Sequence, residues 1–508
     1  MLQDNNKLIV RNTVFLYIRS IVILFISLYT TRVVLRTLGA EDYGVQNVVG
    51  GFVAMFGFLN ASMTKAIQRF YNFAKGKNDS RRLSSTYTNA LLIQALLAIV
   101  IITVTEIAGI WALGNYLVIP DGREQAAFWV FQFAAFSMVF VIMSAPYSAA
   151  IIAHEKMNIY AYVSILDALL KLGFAIALPF VPFDKLITYA SLGLLTSVIN
   201  FGINFIYSKS HFHELVFSRQ AASKKDFFEI LSFSGWNILA AFSNIMKTQG
   251  VNVLLNRFFG TIINAARGVS QQILMALKMI VDNIQVAVKP QLVQSYAKGD
   301  IERTFELMFF TSKISFVLMY MFALPIVLEI DQILNLWLGD SVPNYTAIFT
   351  LITILVSLVD CVNAPVSFVI QAAGKMKRYH LTYSLILLMI VPVSYIALKL
   401  GGDPTSVFWV SFCVGVVNQI ACLIVLKFEV PFSIRSYCRK VVFPCLFTFA
   451  LSPIIPLTIR YTMPEGVWRA ILVIGLSIVI TGLIVYFLAC DKRERQFIQS
   501  LIKRKIKA

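Results

Sequence analysis

Fourteen mostly apolar stretches, each long enough to cross a bilayer and each joined to the next by a short connector, decide what this chain can fold into. They run near 12–36, 43–70, 85–113, 125–152, 159–181, 184–208, 231–257, 261–288, 305–335, 344–371, 379–399, 404–427, 441–460 and 466–489. A helix of about 20 apolar residues spans the hydrocarbon core of a membrane. The fold class that follows is all-α, a polytopic membrane protein with 14 transmembrane helices. Only 14% of the residues are charged, where a soluble domain carries about 25%. No connector is long enough to fold as a soluble domain. The longest is the polar stretch around Ser208 to Glu229.

The formal net charge of +18, from 44 Lys and Arg against 26 Asp and Glu, would suggest a nucleic-acid surface in a soluble chain. In a polytopic chain, basic residues gather in cytoplasmic loops, so their positions are the test. With the N-terminus inside, the inner segments hold Arg69, Lys75, Lys77, Arg81 and Arg82, then Lys209, Arg219, Lys224 and Lys225. Further along come Lys375, Lys377 and Arg378, then Lys427, Arg435, Arg439, Lys440 and the tail DKRERQFIQSLIKRKIKA. The outer segments hold scattered residues such as Arg123, Lys185, Arg460 and Arg469. Both termini are therefore expected in the cytoplasm, and no nucleic acid is expected as a partner. The apolar stretch from Asn12 to Arg36 lacks a small-residue cleavage site and reads as a retained first span. Two inner segments, FHELVFSRQAASKKDFFEI and KPQLVQSYAKGDIERTFEL, suit either a helix lying on the leaflet or a solvated connector. The six cysteines form no CxxC pair and the four histidines are scattered, so neither a metal site nor a cofactor is expected.

APYSAAIIAHEKMNIY, beginning at Ala145, aligns without gaps on APVSFVIQAAGKMKRY, beginning at Ala364. AKGKNDSRR at Ala74 matches AKGDIERTF at Ala297 at nearly the same offset. An offset of about 220 residues covers six helices, which makes this a parallel repeat with a substrate site expected between its halves. The chain then divides into an N-terminal six-helix lobe (1–208), a cytoplasmic amphipathic linker (209–230) and a C-terminal six-helix lobe (231–427). Two accessory transmembrane helices (428–490) and a basic cytoplasmic tail (491–508) follow.

The opening NTVFLYIRSIVILFISLYTTRVVLRTLGAEDYGVQNVVGG, with Arg32 and Arg36 ahead of Leu38, Gly39, Asp42, Tyr43 and Gly44, is followed by QRFYNFAKGKND. These segments resemble the Wzx-like polysaccharide (O-antigen) flippases of the multidrug/oligosaccharidyl-lipid/polysaccharide exporter superfamily. The resemblance implies translocation of an undecaprenyl-pyrophosphate-linked oligosaccharide across the bacterial inner membrane by alternating access. It also implies a cavity lined by helices 1, 2, 7 and 8, a proton or sodium gradient as the driving force, and other polysaccharide-assembly proteins as partners.

The residues supply chemistry for such a cargo. The eighth span carries Asn264, Arg267, Gln271, Met275, Lys278, Asp282, Gln285 and Lys289 at spacings of three and four, all on one helical face. A charge at mid-membrane costs at least about 2.5–3.5 kcal/mol, so this face must meet protein or water. Lys278 and Asp282, one turn apart, either pair structurally or line a cavity. The seventh span adds Asn237, Asn244, Lys247, Thr248, Asn252 and Asn256, and the second adds Gln46 and Asn60. Arg19, in the first span, either faces the cavity or snorkels to headgroups. A pyrophosphate needs cationic donors and a sugar needs amide and hydroxyl partners. The candidate substrate-binding set is thus Arg19, Asn60, Asn244, Lys247, Asn252, Arg267, Gln271, Lys278 and Asp282. Asp167, one turn from Lys171, and Asp360, deep in the tenth span, are candidates for ion coupling or gating. Glu106, Glu329 and Asp331 fall near outer span ends, where water would reach them.

No catalytic residue is expected and the chain does not read as an enzyme, because its outer loops are too short for the substrate domain of a glycosyltransferase or polymerase. A multidrug/cation antiporter needs acidic residues in its cavity, and Asn5 to Ala40 contains no Asp or Glu. A lipid-linked peptidoglycan precursor also carries a pyrophosphate, so a flippase for it is the nearest alternative.

Overall fold

The computed structural model describes residues 2–76, 79–154, 156–213, 215–218, 222–490 and 495. The basic tail, Arg495 apart, lies outside them, as do Lys77, Arg219 and the side chain of Asn237. Every regular element among the described residues is helical. The first unit's helices begin with α1 (Leu2–Ala54), α2 (Phe58–Gly76), α3 (Ser80–Asn115), α4 (Glu124–Ala153), α5 (Met157–Ala177) and α6 (Lys185–His211). The chain continues through α7 (Lys224–Ile245), α8 (Val251–Phe259), α9 (Thr261–Ala297), α10 (Ile301–Leu328), α11 (Ile330–Leu338), α12 (Thr346–Asp360) and α13 (Ala364–Ala372). It ends in α14 (Met376–Leu388), α15 (Ile390–Lys399), α16 (Ser406–Glu429), α17 (Ile434–Tyr437), α18 (Phe443–Leu451), α19 (Ile454–Thr462) and α20 (Val467–Ile484).

Among the described residues, eleven helices are long and apolar enough to cross a membrane. The longest, Ile18–Lys75, contains the second expected span and most of the first. They are separated at Gly39, whose φ of +79° breaks α1 in a conformation that glycine adopts without steric cost. The expected seventh and eighth spans, α7–α8 and α9, lie outside the eleven and carry the polar residues described below. The chain is thus an all-α, multi-pass membrane protein.

Contacts group the chain into two compact units. One comprises Met1–Val269, Ser341–Tyr345 and Leu387–Val407, and the other comprises Ser270–Asp340, Thr346–Ile386 and Phe408–Ala508. In the first unit, Tyr71, Tyr87, Tyr147, Ile67 and Ile151 form one apolar cluster, while Val45, Val48, Val49, Phe131 and Leu186 form another. The connector leaving α6 is non-helical at its described residues, which removes the surface-helix reading there. Phe212 and Leu215 are buried in the tyrosine cluster. The Ser84 hydroxyl donates to the Val216 carbonyl (2.9 Å), and the Ser218 N–H donates to Thr88 Oγ1 (3.2 Å). Burial and these bonds turn the connector into a strap along α3. The KPQLVQSYAKGDIERTFEL segment instead completes α9 and starts α10.

In the second unit, α20 packs on α10 and buries Arg469, Val473, Ser477 and Thr481, one residue every fourth position. Small side chains on such a face let helix backbones approach closely in a membrane. The Arg469 Nη2 donates to Glu329 Oε2 at 2.9 Å, and Glu329 is 2% exposed. The expectation of a solvated Glu329 is therefore corrected, because an arginine from the last helix shields it from water.

The repeat is visible in local geometry. Ser148 donates to the Ala145 carbonyl and Ser367 donates to the Ala364 carbonyl. Each helix is then closed by an equivalent backbone bond, Lys156 N–H to Ile151 and Lys375 N–H to Ile370. The copies differ just before this point: α4 runs unbroken through Pro146, whereas in the second copy α12 stops at Asp360 and α13 restarts at Ala364.

Candidate functional site

The polar residues of the expected cavity divide into a buried group and a water-facing group. Within the first unit, the part of α1 beyond Gly39 lies against α8 and the start of α9. Contact is so close at Gly44 that a Cβ there would overlap the Thr261 carbonyl. Asn252 donates to the Asn47 carbonyl (3.1 Å), and Asn264 donates to the Asn252 carbonyl (2.7 Å) and its Oδ1 (2.8 Å). Asn256 is paired in both directions with the backbone of Val118, at 2.8 and 3.0 Å. Arg267 is 6% exposed, and its Nη2 donates to the Thr248 carbonyl at 2.6 Å. That carbonyl lies in a π-helical turn, Met246–Gly250, that links α7 to α8. A turn with i→i+5 bonding disturbs the usual helical ladder and leaves room for a side chain to bond its carbonyls. Asn252 and Arg267 thus meet protein in this structure.

The rest of the set is reachable by water. On α7 and its π turn, Asn244 and Thr248 are exposed and Lys247 is half-buried. In the second unit, the middle of α9 presents Gln271 and Lys278 half-buried, Met275 61% exposed and Asp282 exposed. Polar and charged groups in these positions of a spanning helix need water or protein around them rather than lipid. Further down α9, Gln285 turns inward again: its Nε2 donates to Ser315 Oγ (3.1 Å) and the Cys361 carbonyl (2.9 Å). Asn60 on α2 is half-buried, with a buried Oδ1 that accepts no hydrogen bond. The Arg19 guanidinium lies over the Tyr160 ring at 4.7 Å, a cation–π contact with α5.

Asp167 and Asp360 occupy different surroundings. Asp167 accepts from Lys171 Nζ (2.8 Å) and Asn200 Nδ2 (2.6 Å), so both carboxylate oxygens are engaged. Beside them in the first unit is a cavity of about 430 Å³, lined by Gln46, Gly50, Ser137, Lys171, Thr196 and Ser197 among others. Asp360 is half-buried at the last residue of α12. The three residues after it are not helical, and neighbouring side chains satisfy their exposed carbonyls. Gln285 serves Cys361, while Ser312 (3.2 Å) and Tyr437 (3.4 Å) serve Val362. The Tyr379 hydroxyl closes the network on Asn363 Oδ1.

Sequence reasoning missed one further element. Arg123, in the connector before α4, donates to the carboxylates of both Asp42 and Asp184. This ties the motif residue Asp42 on α1 to Asp184, which caps α6 through the Ile187 N–H (3.0 Å). Burial raises the Asp184 pKa, but the bonds from Arg123 and the Ile187 N–H outweigh it and hold the carboxyl below its usual range. Arg123→Ala is expected to lower stability by about 1–2 kcal/mol, since it leaves two part-buried carboxylates facing each other. Thermal unfolding of the full chain in detergent checks this, and an unchanged midpoint would contradict it.

No family model matches the chain. Among curated proteins it is similar to the uncharacterized membrane protein EpsK of Bacillus subtilis (strain 168), with 19% identity over 322 residues. That match covers 62% of this chain and 63% of EpsK, so it spans less than two thirds of the relative's length. Among solved structures it is similar to the lipid II flippase MurJ in an inward closed conformation, at 15% identity and a TM-score of 0.68, covering 97% of this chain and 100% of that one. It is also similar to the inward-facing conformation of a multidrug resistance MATE family transporter of the MOP superfamily. There the identity is 15% and the TM-score 0.66, over 80% of this chain and 97% of that one. At such identities the likeness is one of fold. The chain is a multi-pass, all-α membrane protein built on the fold of MATE transporters and of the lipid II flippase MurJ.

Proposed function

We propose that this protein is a flippase that moves a polyprenyl-pyrophosphate-linked oligosaccharide across the bacterial inner membrane by alternating access, with both termini in the cytoplasm. Its product would feed surface polysaccharide (O-antigen, capsule or exopolysaccharide) biosynthesis. The observation that carries this reading is a partly exposed, cation-bearing helix face in each unit: Lys247 with Asn244 and Thr248 in one, and Lys278 with Gln271 in the other. Lysines bind a pyrophosphate as point charges, and amides and hydroxyls suit sugar. Asp167 is already engaged by Lys171 and Asn200, and Asp282 lies one turn from Lys278.

Replacing Lys247 and Lys278 with alanine is expected to reduce surface glycan export at least tenfold while the protein level holds, an effect of about 1.4 kcal/mol or more on transport. Normal export in the double mutant would sink the assignment. The extent of the likeness to MurJ, 97% of this chain, favours a lipid-linked peptidoglycan precursor as the second reading. Deleting the gene separates the two: loss of surface polysaccharide with continued growth supports the first, and lysis supports the second.

A further inference from the structure

Lys313 lies on α10 about 18 Å of helix from the first residue and about 22 Å from the last, too deep for its stem to carry the ammonium to either interface. It is 8% exposed, on a helix whose Thr311, Ser312 and Ser315 are fully buried. A buried ammonium requires a counter-charge. Among the described residues of the second unit, Asp300, Glu302 and Glu306 cluster at the start of α10, and Glu306 pairs with Arg303 (3.6 Å). Glu429 ends α16 and holds Lys375 and Arg378, Glu329 holds Arg469, Asp331 lies in the first turn of α11, Asp340 just after that helix, and Glu465 just before α20. Two acids remain at mid-span. Asp282 is exposed, one turn from Lys278. Asp360 stands midway along the span Thr346–Ala372, at the helix break.

The packing brings Lys313 and Asp360 into one neighbourhood. Ser312 Oγ reaches the Val362 carbonyl, and Gln285 links Ser315 to Cys361, so the 312–315 turn of α10 lies against the break. Lys313 lies near Cys445 of α18, and Cys445, Asp360 and Lys278 lie near Cys361.

We propose that Lys313 is the counter-charge of Asp360, and that this pair forms an ion-coupling site open to a proton but closed to sodium. The ammonium occupies the position that a metal cation would take beside the carboxylate. Uptake of one proton by Asp360 changes the pair from net zero to +1, and its release to water restores zero. The groups facing the pair are Lys278 on α9, Cys361, Tyr437 on α17 and Cys445 on α18. The role in transport rests on the flippase reading, but the pairing does not.

The test uses the purified full chain in detergent and needs no cargo, so its failure would leave the flippase reading standing. Unfolding temperature is compared in sodium chloride and in choline chloride. Wild type is expected to give the same value in both, and Asp360→Asn and Lys313→Met each to lose on the order of 5 °C. The double variant K313M/D360N should recover most of that loss. Lys313→Met alone, with its carboxylate unpaired, should become stabilised by sodium. If Lys313→Met does not fold, Asp360→Asn against the double variant still decides, because pairing requires the double to be the more stable. Additive losses in the double, or a wild type stabilised by sodium through Asp360, would overturn the proposal.

Discussion

Arg469→Ala is expected to destabilise the second unit by about 3–5 kcal/mol, the usual cost of removing one partner from a buried ion pair. The Glu329 side chain is 0% and the Arg469 side chain 7% exposed, so the carboxylate left behind gains no water. Its Oε1 already accepts no hydrogen bond, and arginine on Oε2 is what makes its burial tolerable. The pair itself is a weaker contributor than this figure suggests, because both charges lose hydration on folding. The variant E329L/R469L should therefore recover most of the loss by substituting apolar contact between α10 and α20. Thermal unfolding in detergent distinguishes these cases. A single mutant no less stable than the double would mean that the pair adds nothing beyond packing.

The same pair shows where the sequence could be read and where it could not. Apolar length alone delivers the all-α, multi-pass architecture, because a membrane leaves few ways to satisfy a backbone. The repeat delivers local geometry down to the bonds of Ser148 and Ser367, since identical residues in identical helical settings make identical contacts. What periodicity cannot give is the partner of each polar residue. All eight residues of the α9 stripe share one face, yet that face meets α8 at Asn264, is partly open at Lys278 and Asp282, and meets α10 at Gln285. Helical spacing defines a direction, and what lies in that direction is set by other segments far away in sequence. The same holds for Arg123 and Lys313. One resembles an ordinary loop cation and the other a lone lysine in an apolar run until Asp42, Asp184 and the break at Asp360 are brought near. The π turn at Met246–Gly250 has no signature in composition at all.

Gly44→Ala is expected to cost about 1–3 kcal/mol, a large effect for one methyl group, because it overpacks a seam that cannot yield. The glycine belongs to the LGAEDYG element, whose other members already have structural duties. Gly39 supplies the break in α1, Asp42 is held by Arg123, and Tyr43 is buried. A Cβ at Gly44 would meet the carbonyl carbon and oxygen of Thr261, which are backbone atoms fixed at the start of α9. Gly51 provides the control. A Cβ there would meet chiefly the amide end of Gln249, a flexible side chain able to swing aside, with Asn252 Nδ2 at 3.1 Å, so Gly51→Ala should cost less than Gly44→Ala. Unfolding midpoints of the two variants in detergent test the contrast directly. Equal losses would mean that the seam is generally tight and that the motif glycine has no special part in it. A loss confined to Gly44→Ala would tie the glycine of this element to one physical requirement, the contact distance between α1 and α9.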